Sequence, residues 1–297
     1  MRTRLIGDVP VSAVGLGAMP LSIEGRPDEA RAIATIHAAL DAGVTLIDTA
    51  DSYHWHADEI GHNERLIARA LAAYGGDVTD VLIATKGGRG RPGDGSWTVN
   101  GDPRHIMRAC EASLKRLGAD SIGLYQLHKP DPDVPFAESV GALRDLLDEG
   151  KIRMAGISNV DVRQIRQAHR ELGGRLASVQ NRYSPAVRDS DPELRLCTEL
   201  GVAFLPWSPL GGVSRSALDS DDPADGTPFH TIARRRGVSP QQVCLAWHLA
   251  RSPRVVPIPG ASRPASIRDS AGAAELTLTA DELATLDRLD RLDRPRG

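Results

Sequence analysis

The chain has 297 residues and a formal net charge of −3, a balance with no electrostatic footprint for nucleic acid or an anionic membrane. No apolar run approaches the ~18 residues of a bilayer span, and the opening MRTRLIGDVP lacks the basic-then-apolar layout of a secretory signal. Three scattered cysteines (Cys110, Cys197 and Cys244) fit neither a disulfide framework nor a metal knuckle, so a reduced, cytoplasmic protein is expected.

In chain order, TRLIG and DVPVSAV read as a hairpin preceding the first core strand. Eight short apolar runs follow: AVGLGAM (13–19), VTLID (44–48), VLIAT (81–85), IGLYQLH (122–128), IRMAGIS (152–158), ASVQN (177–181), VAFLPW (202–207) and RVVPIP (254–259). Helical patterns separate them. The stretch 27–43 opens on Pro-Asp-Glu and closes on a glycine, and 103–118 and 135–150 share that layout. Strands this uniformly apolar belong to a parallel sheet covered by helices. Eight units favour a closed α/β barrel, the (β/α)8 TIM barrel, with the hairpin plugging its bottom. An open dinucleotide-binding sheet carries G-x-G-x-x-G after its first strand, whereas GLGAM has no third glycine and no immediate helix. The stretch 279–292 predicts an extra C-terminal helix, and residues 1–297 read as a single domain. Long loops at 49–61, 87–102 and 211–228 are expected around the mouth.

Chemistry gathers at consecutive strand ends. Asp48 and Tyr53 close the second run, Lys86 the third and His128 the fourth. Any one alone reads as readily as a rim ion pair or a packed aromatic. At three successive strand ends they converge on the face where barrel enzymes place their active sites. A neighbouring ammonium lowers a phenol's pKa toward the working range of a general acid. Lys86 therefore suits Tyr53, Asp48 suits Lys86, and a His128 imidazole can polarise a carbonyl.

With GLGAM, DTADSY, ATKGG, SLKRLGADSIGLYQLH, GKIRMAGISN, VQNRYSP, PWSPLGG and PIPGASR in this order, the chain resembles the aldo-keto reductase superfamily over nearly its whole length. The resemblance is greatest to bacterial members similar to pyridoxal reductases or sugar ketoreductases. It implies reduction of a small-molecule aldehyde or ketone by NADPH, with NADH a weaker alternative, in a protein that is monomeric by default. Asp48, Tyr53, Lys86 and His128 match the family's catalytic tetrad, with Tyr53 as the acid. Ala18 and Met19, at the end of the first strand, and Asp48 are implied among the cofactor contacts as well. Ser158, Asn159 and Gln180 match the carboxamide contacts, and Trp207 the ring stacked on the nicotinamide. Ser208, Pro209, Leu210 and Gly211 match the pyrophosphate loop. Gly260, Ala261, Ser262 and Arg263 match the segment holding the adenosine 2′-phosphate. Many members carry Lys at Gly260 and Arg at Ser266, which leaves Arg263 as the principal clamp. Asp269 and Ser270 stand where Glu-Asn often meets adenine. A second reading of the same fold is a cofactor-sensing subunit with little turnover, similar to the β subunits of potassium channels.

His54, Trp55 and Trp97 are candidates for the substrate pocket. The cluster His54, His56, Asp58 and His62 contains an H-x-H that can mark a metal site, but metal-dependent barrel hydrolases carry that pattern on the first strand and here it sits on a loop after the second, so no metal is expected. RRRG (234–237) reads as a solvated helix end, and the aspartates of LDSDDPAD (218–225) as an exposed loop.

Overall fold

A computed structural model describes residues 1–212, 216, 218–219 and 227–288. An antiparallel hairpin, β1 (Thr3–Ile6) and β2 (Val9–Ser12), opens the chain. Then come β3 (Leu16–Gly17), α1 (Glu29–Asp41), β4 (Leu46–Asp48), α2 (His62–Ala72) and β5 (Leu82–Gly87). A small hairpin, β6 (Arg89–Gly90) and β7 (Thr98–Val99), interrupts the pattern before α3 (Pro103–Leu117). Alternation resumes with β8 (Ile122–Leu127), α4 (Phe136–Asp148), β9 (Ile152–Ser158), α5 (Val162–Glu171), β10 (Leu176–Gln180), α6 (Asp191–Leu200) and β11 (Ala203–Phe204). Four helices complete the described chain: α7 (Pro228–Arg236), α8 (Pro240–Arg251), α9 (Pro264–Gly272) and α10 (Ala280–Asp287).

Seven strands form one parallel sheet in the order β11-β10-β9-β8-β5-β4-β3. Residues 254–260 run between its two edges and close it into the (β/α)8 barrel. On one side Val256 donates to the Phe204 carbonyl and Ile258 to that of Pro206. On the other, Gly15 and Gly17 donate to the carbonyls of Pro257 and Pro259. Pro257 and Pro259 have no N–H to return, so this eighth element both donates and accepts on one side and only accepts on the other. A Cβ on Gly17 would lie 2.7 Å from the Ile258 carbonyl oxygen, so the closure requires glycine there.

Helix starts follow from their caps. The Asp28 carboxylate accepts from the Arg31 N–H at 2.8 Å, and Asp102 does the same for His105. Such caps satisfy N–H groups that the helix itself leaves unpaired. The hairpin fills the barrel's bottom: Ile6 and Val11 are buried with Leu46, Leu82, Leu124, Met154 and Val256. Outward residues of the same strands, such as Ile47, Tyr125, Ile157 and Val179, pack under the helices.

Two expectations change. The loop 87–102 contains the β6–β7 hairpin, and Arg236 of the RRRG run is no free cap, since it pairs with Glu282 of α10 at 2.7 Å. Helix α10 occupies the start of the expected 279–292 segment, of which 289–292 lie outside the described residues. Most of LDSDDPAD also lies outside them, as does most of the loop 211–228.

Candidate active site

Strand parity builds the site. Side chains alternate faces along a strand, so Asp48 shares the interior with Leu46, Lys86 with Ala84, and Gln126 with Leu124. The register sets Asp48 opposite Ala84 and Lys86 opposite Gln126. A polar layer therefore sits directly above the apolar plug of the barrel.

The Lys86 ammonium is fully buried and donates three hydrogen bonds: to Asp48 Oδ1 at 2.6 Å, the Thr49 carbonyl at 2.7 Å and the Tyr53 hydroxyl at 3.0 Å. An ammonium has three protons, and all are used. Asp48 Oδ2 accepts from Gln180 Nε2 at 2.8 Å and from Gln126 Nε2 at 3.4 Å. His128 meets Tyr53 edge-on, with ring centroids 5.7 Å apart, and Ser52 Oγ lies 3.4 Å from its Nδ1. The Asn159 amide donates to the His128 carbonyl at 2.9 Å, and its oxygen accepts from Trp207 Nε1 at 3.2 Å. Ser158 Oγ donates to the Gln180 carbonyl at 2.7 Å. Asn159 (φ 59) and Ser208 (φ 48) are the non-glycine residues with left-handed backbone among those described, and both lie here. Strained backbone of this kind gathers at functional sites.

Burial pushes the Tyr53 phenol above its ordinary pKa; Lys86 opposes the rise and Asp48 adds to it. The expected lowering by lysine is present, but desolvation outweighs it. Desolvation alone would discharge Lys86, yet Asp48 and Tyr53 more than offset it and its pKa rises. Burial, then the charges of Lys86 and Arg89, hold His128 well below the usual imidazole range. At neutral pH the cluster thus holds a protonated phenol, an ammonium and a neutral imidazole.

Tyr53, Asp48 and His128 open into a cavity also walled by Met19, Trp207 and Ser208. It continues past Pro20, Gly212 and Gly260 into a groove lined by Pro209, Leu210, Ala261, Ser262, Arg263 and Asp269. The residues fit an extended dinucleotide. Trp207 offers a flat indole fixed by Asn159, and a Cβ on Gly260 would come within 2.8 Å of Pro20 and narrow the passage. The exposed Arg263 guanidinium makes no hydrogen bond or ion pair among the described residues and stands at the N-terminus of α9, where the Arg263 carbonyl accepts from the Ser266 and Ile267 N–H groups, a pairing suited to a phosphate.

The structure brings the four expected tetrad residues together and lays most expected cofactor residues along one groove. Ala18 supports it from behind, its carbonyl accepting from Asn63. Asp269 is already engaged, accepting from Ser239 Oγ at 2.6 Å and Gln242 Nε2 at 2.7 Å, so it ties α8 to α9. Of the three expected substrate-pocket residues, Trp97 lines the cavity. His54 does not: it is buried behind the loop with Nδ1 on the His56 carbonyl at 2.8 Å. Trp55 points outward and stacks on His56 at 5.1 Å. His62 bonds Ser22 Oγ, so the histidines of that loop take separate partners. Sequence reasoning missed Gln126, which strand parity could have supplied, and Arg89 and Gly212, for which no periodic signal exists.

The family profile described as the aldo/keto reductase family matches residues 13–291. The chain belongs to the aldo/keto reductase family, a family of oxidoreductases. An uncharacterized oxidoreductase of Schizosaccharomyces pombe is 34% identical over 286 residues, covering 95% of this chain and 88% of that protein. The glycerol dehydrogenase from Gluconobacter oxydans is 30% identical, with TM-score 0.80 over 99% of this chain and 97% of that one. An aldo/keto reductase from Klebsiella pneumoniae, solved in complex with NADP and acetate, is 28% identical, with TM-score 0.79 over 99% and 98% of the two chains.

Proposed function

We propose that this chain, acting as one cytoplasmic domain, reduces a small aldehyde or ketone to the alcohol with NADPH. The observation that carries the reading is the saturated Lys86 ammonium, shared between Asp48 and the Tyr53 hydroxyl at the floor of the cavity. When bound, the reduced nicotinamide supplies the hydride that forms the new C–H bond as the carbonyl π bond breaks. Tyr53 gives its hydroxyl proton to the carbonyl oxygen. Lys86 stabilises the phenolate left behind, which solvent then reprotonates. In the tautomer that carries its proton on Nε2, for which the Ser52 hydroxyl 3.4 Å from Nδ1 is the donor, neutral His128 can donate to the same oxygen and fix the carbonyl's direction. Trp207, Asn159 and Gln180 would hold the nicotinamide end, and Arg263 the 2′-phosphate, which favours NADPH over NADH.

Tyr53→Phe tests the assignment. Loss of a general acid costs about 10²–10⁴-fold in rate, so turnover should fall by that order while NADPH still quenches tryptophan fluorescence with nearly unchanged affinity. Substantial turnover in the variant would refute Tyr53 as the acid.

A further inference from the structure

Two arginines of the β6–β7 hairpin pack on Trp97, with guanidinium carbons 4.3 Å (Arg89) and 4.6 Å (Arg91) from the indole centroid. Their circumstances differ. Arg91 is buried and neutralised, donating to the His54 carbonyl at 2.7 Å and pairing with Glu24. Arg89 lines the cavity beside Tyr53 and His128. It makes no hydrogen bond or ion pair among the described residues, and its Nε is buried without an acceptor. A guanidinium cannot shed its charge to escape this situation, and a half-buried cation without an anion is costly.

The charges of the cavity leave one position unfilled. Asp48 is matched by Lys86, and Arg89 remains as an unmatched positive charge in the wall. Trp97 and the hairpin register, Arg89 opposite Val99, hold its base in place. Resting on the reductase reading above, we infer that Arg89 selects substrates that carry a carboxylate on the same molecule as the reacting carbonyl, so that the preferred substrates are small oxo acids. A planar guanidinium accepts a carboxylate through two parallel hydrogen bonds. A single matched charge suits this monoanion better than a phosphate dianion.

The test uses the whole enzyme with NADPH and the 2-, 3- and 4-carboxybenzaldehydes, each against its methyl ester, together with succinic semialdehyde against butanal. At least one acid should exceed its neutral counterpart in kcat/KM by tenfold or more. That ratio should fall at least tenfold in Arg89→Gln and recover in part in Arg89→Lys, which keeps the charge but not the fork. If Arg89 served only to tune His128 and Tyr53, the acid and neutral rates would move together and the ratio would stay fixed. An unchanged ratio in Arg89→Gln, or no acid preferred over its counterpart in the parent enzyme, overturns the inference and leaves the reductase reading intact. Failure to reduce any of these carbonyls overturns both.

Discussion

Lys86 is wholly buried and still charged because three acceptors surround it. Removing one partner of a buried ion pair leaves the other uncompensated, typically at a cost of about 3–5 kcal/mol. Lys86→Met should therefore lower stability by that order in denaturant unfolding as well as abolish turnover; a variant as stable as the parent would show that Asp48 does not depend on the lysine. At the far end of the groove, Arg263→Ala should raise the KM for NADPH severalfold and leave that for NADH nearly unchanged, and equal effects on both would remove Arg263 as the phosphate clamp. Asp48, Lys86 and His128 were legible because each ends an apolar run, where strand geometry fixes which way a side chain faces. Tyr53 was legible only alongside them. His54 and Trp55 misled for the converse reason: they sit on a loop, where neighbouring positions carry no fixed direction, and both turned to His56. Arg89 and Arg91 show the same limit, since nothing in RGR states which guanidinium finds Glu24.

Elements with strong local signals were readable nearly to the residue. The helices α1 and α3 begin where Asp28 and Asp102 cap them; five of the seven core strands fall inside the apolar runs that mark them, while β5 runs two residues past its run and β10 starts one residue before its own. The β6–β7 hairpin was hidden because strands of two residues, built from Arg, Gly, Thr and Val, are too short to show alternation. The closing element was visible as RVVPIP, but that it only accepts on one side depends on Pro257 and Pro259 facing the β3 edge, a non-local fact. Gly17→Ala tests that junction. Its Cβ would press on the Ile258 carbonyl, a backbone atom that cannot swing aside, so about 1–3 kcal/mol of stability should be lost and NADPH affinity should weaken with it. An alanine variant with unchanged melting temperature and cofactor affinity would mean that the closure is softer than its geometry indicates.

At the scale of the whole molecule, buried titratable groups set how stability varies with pH. His128 is held well below the usual imidazole range and His248 at about 4, both by burial first. The unfolded chain takes up these protons near pH 6.5 and the folded chain resists, so their contribution is full above about pH 6.5 and is lost on acidification toward 4. Asp51 acts in the opposite sense. Burial, reinforced by Glu64, raises its pKa to about 8; the folded chain keeps a proton that the unfolded chain has released, and stability falls as pH rises toward 8. Melting temperature should therefore peak near pH 6.5, and Asp51→Asn should flatten the decline between 6.5 and 8. The same decline in parent and variant would exclude Asp51 as its source. The central claim is that this barrel moves a hydride to a carbonyl instead of merely holding a nucleotide. It is tested most directly by NADPH carrying deuterium at the transferable C4 position, mixed with enzyme and a reducible aldehyde. The account predicts one alcohol per NADPH consumed, with the deuterium on the carbinol carbon and the rate collapsing in Tyr53→Phe. NADPH that binds and stays unoxidised, or alcohol formed without the label, would contradict it.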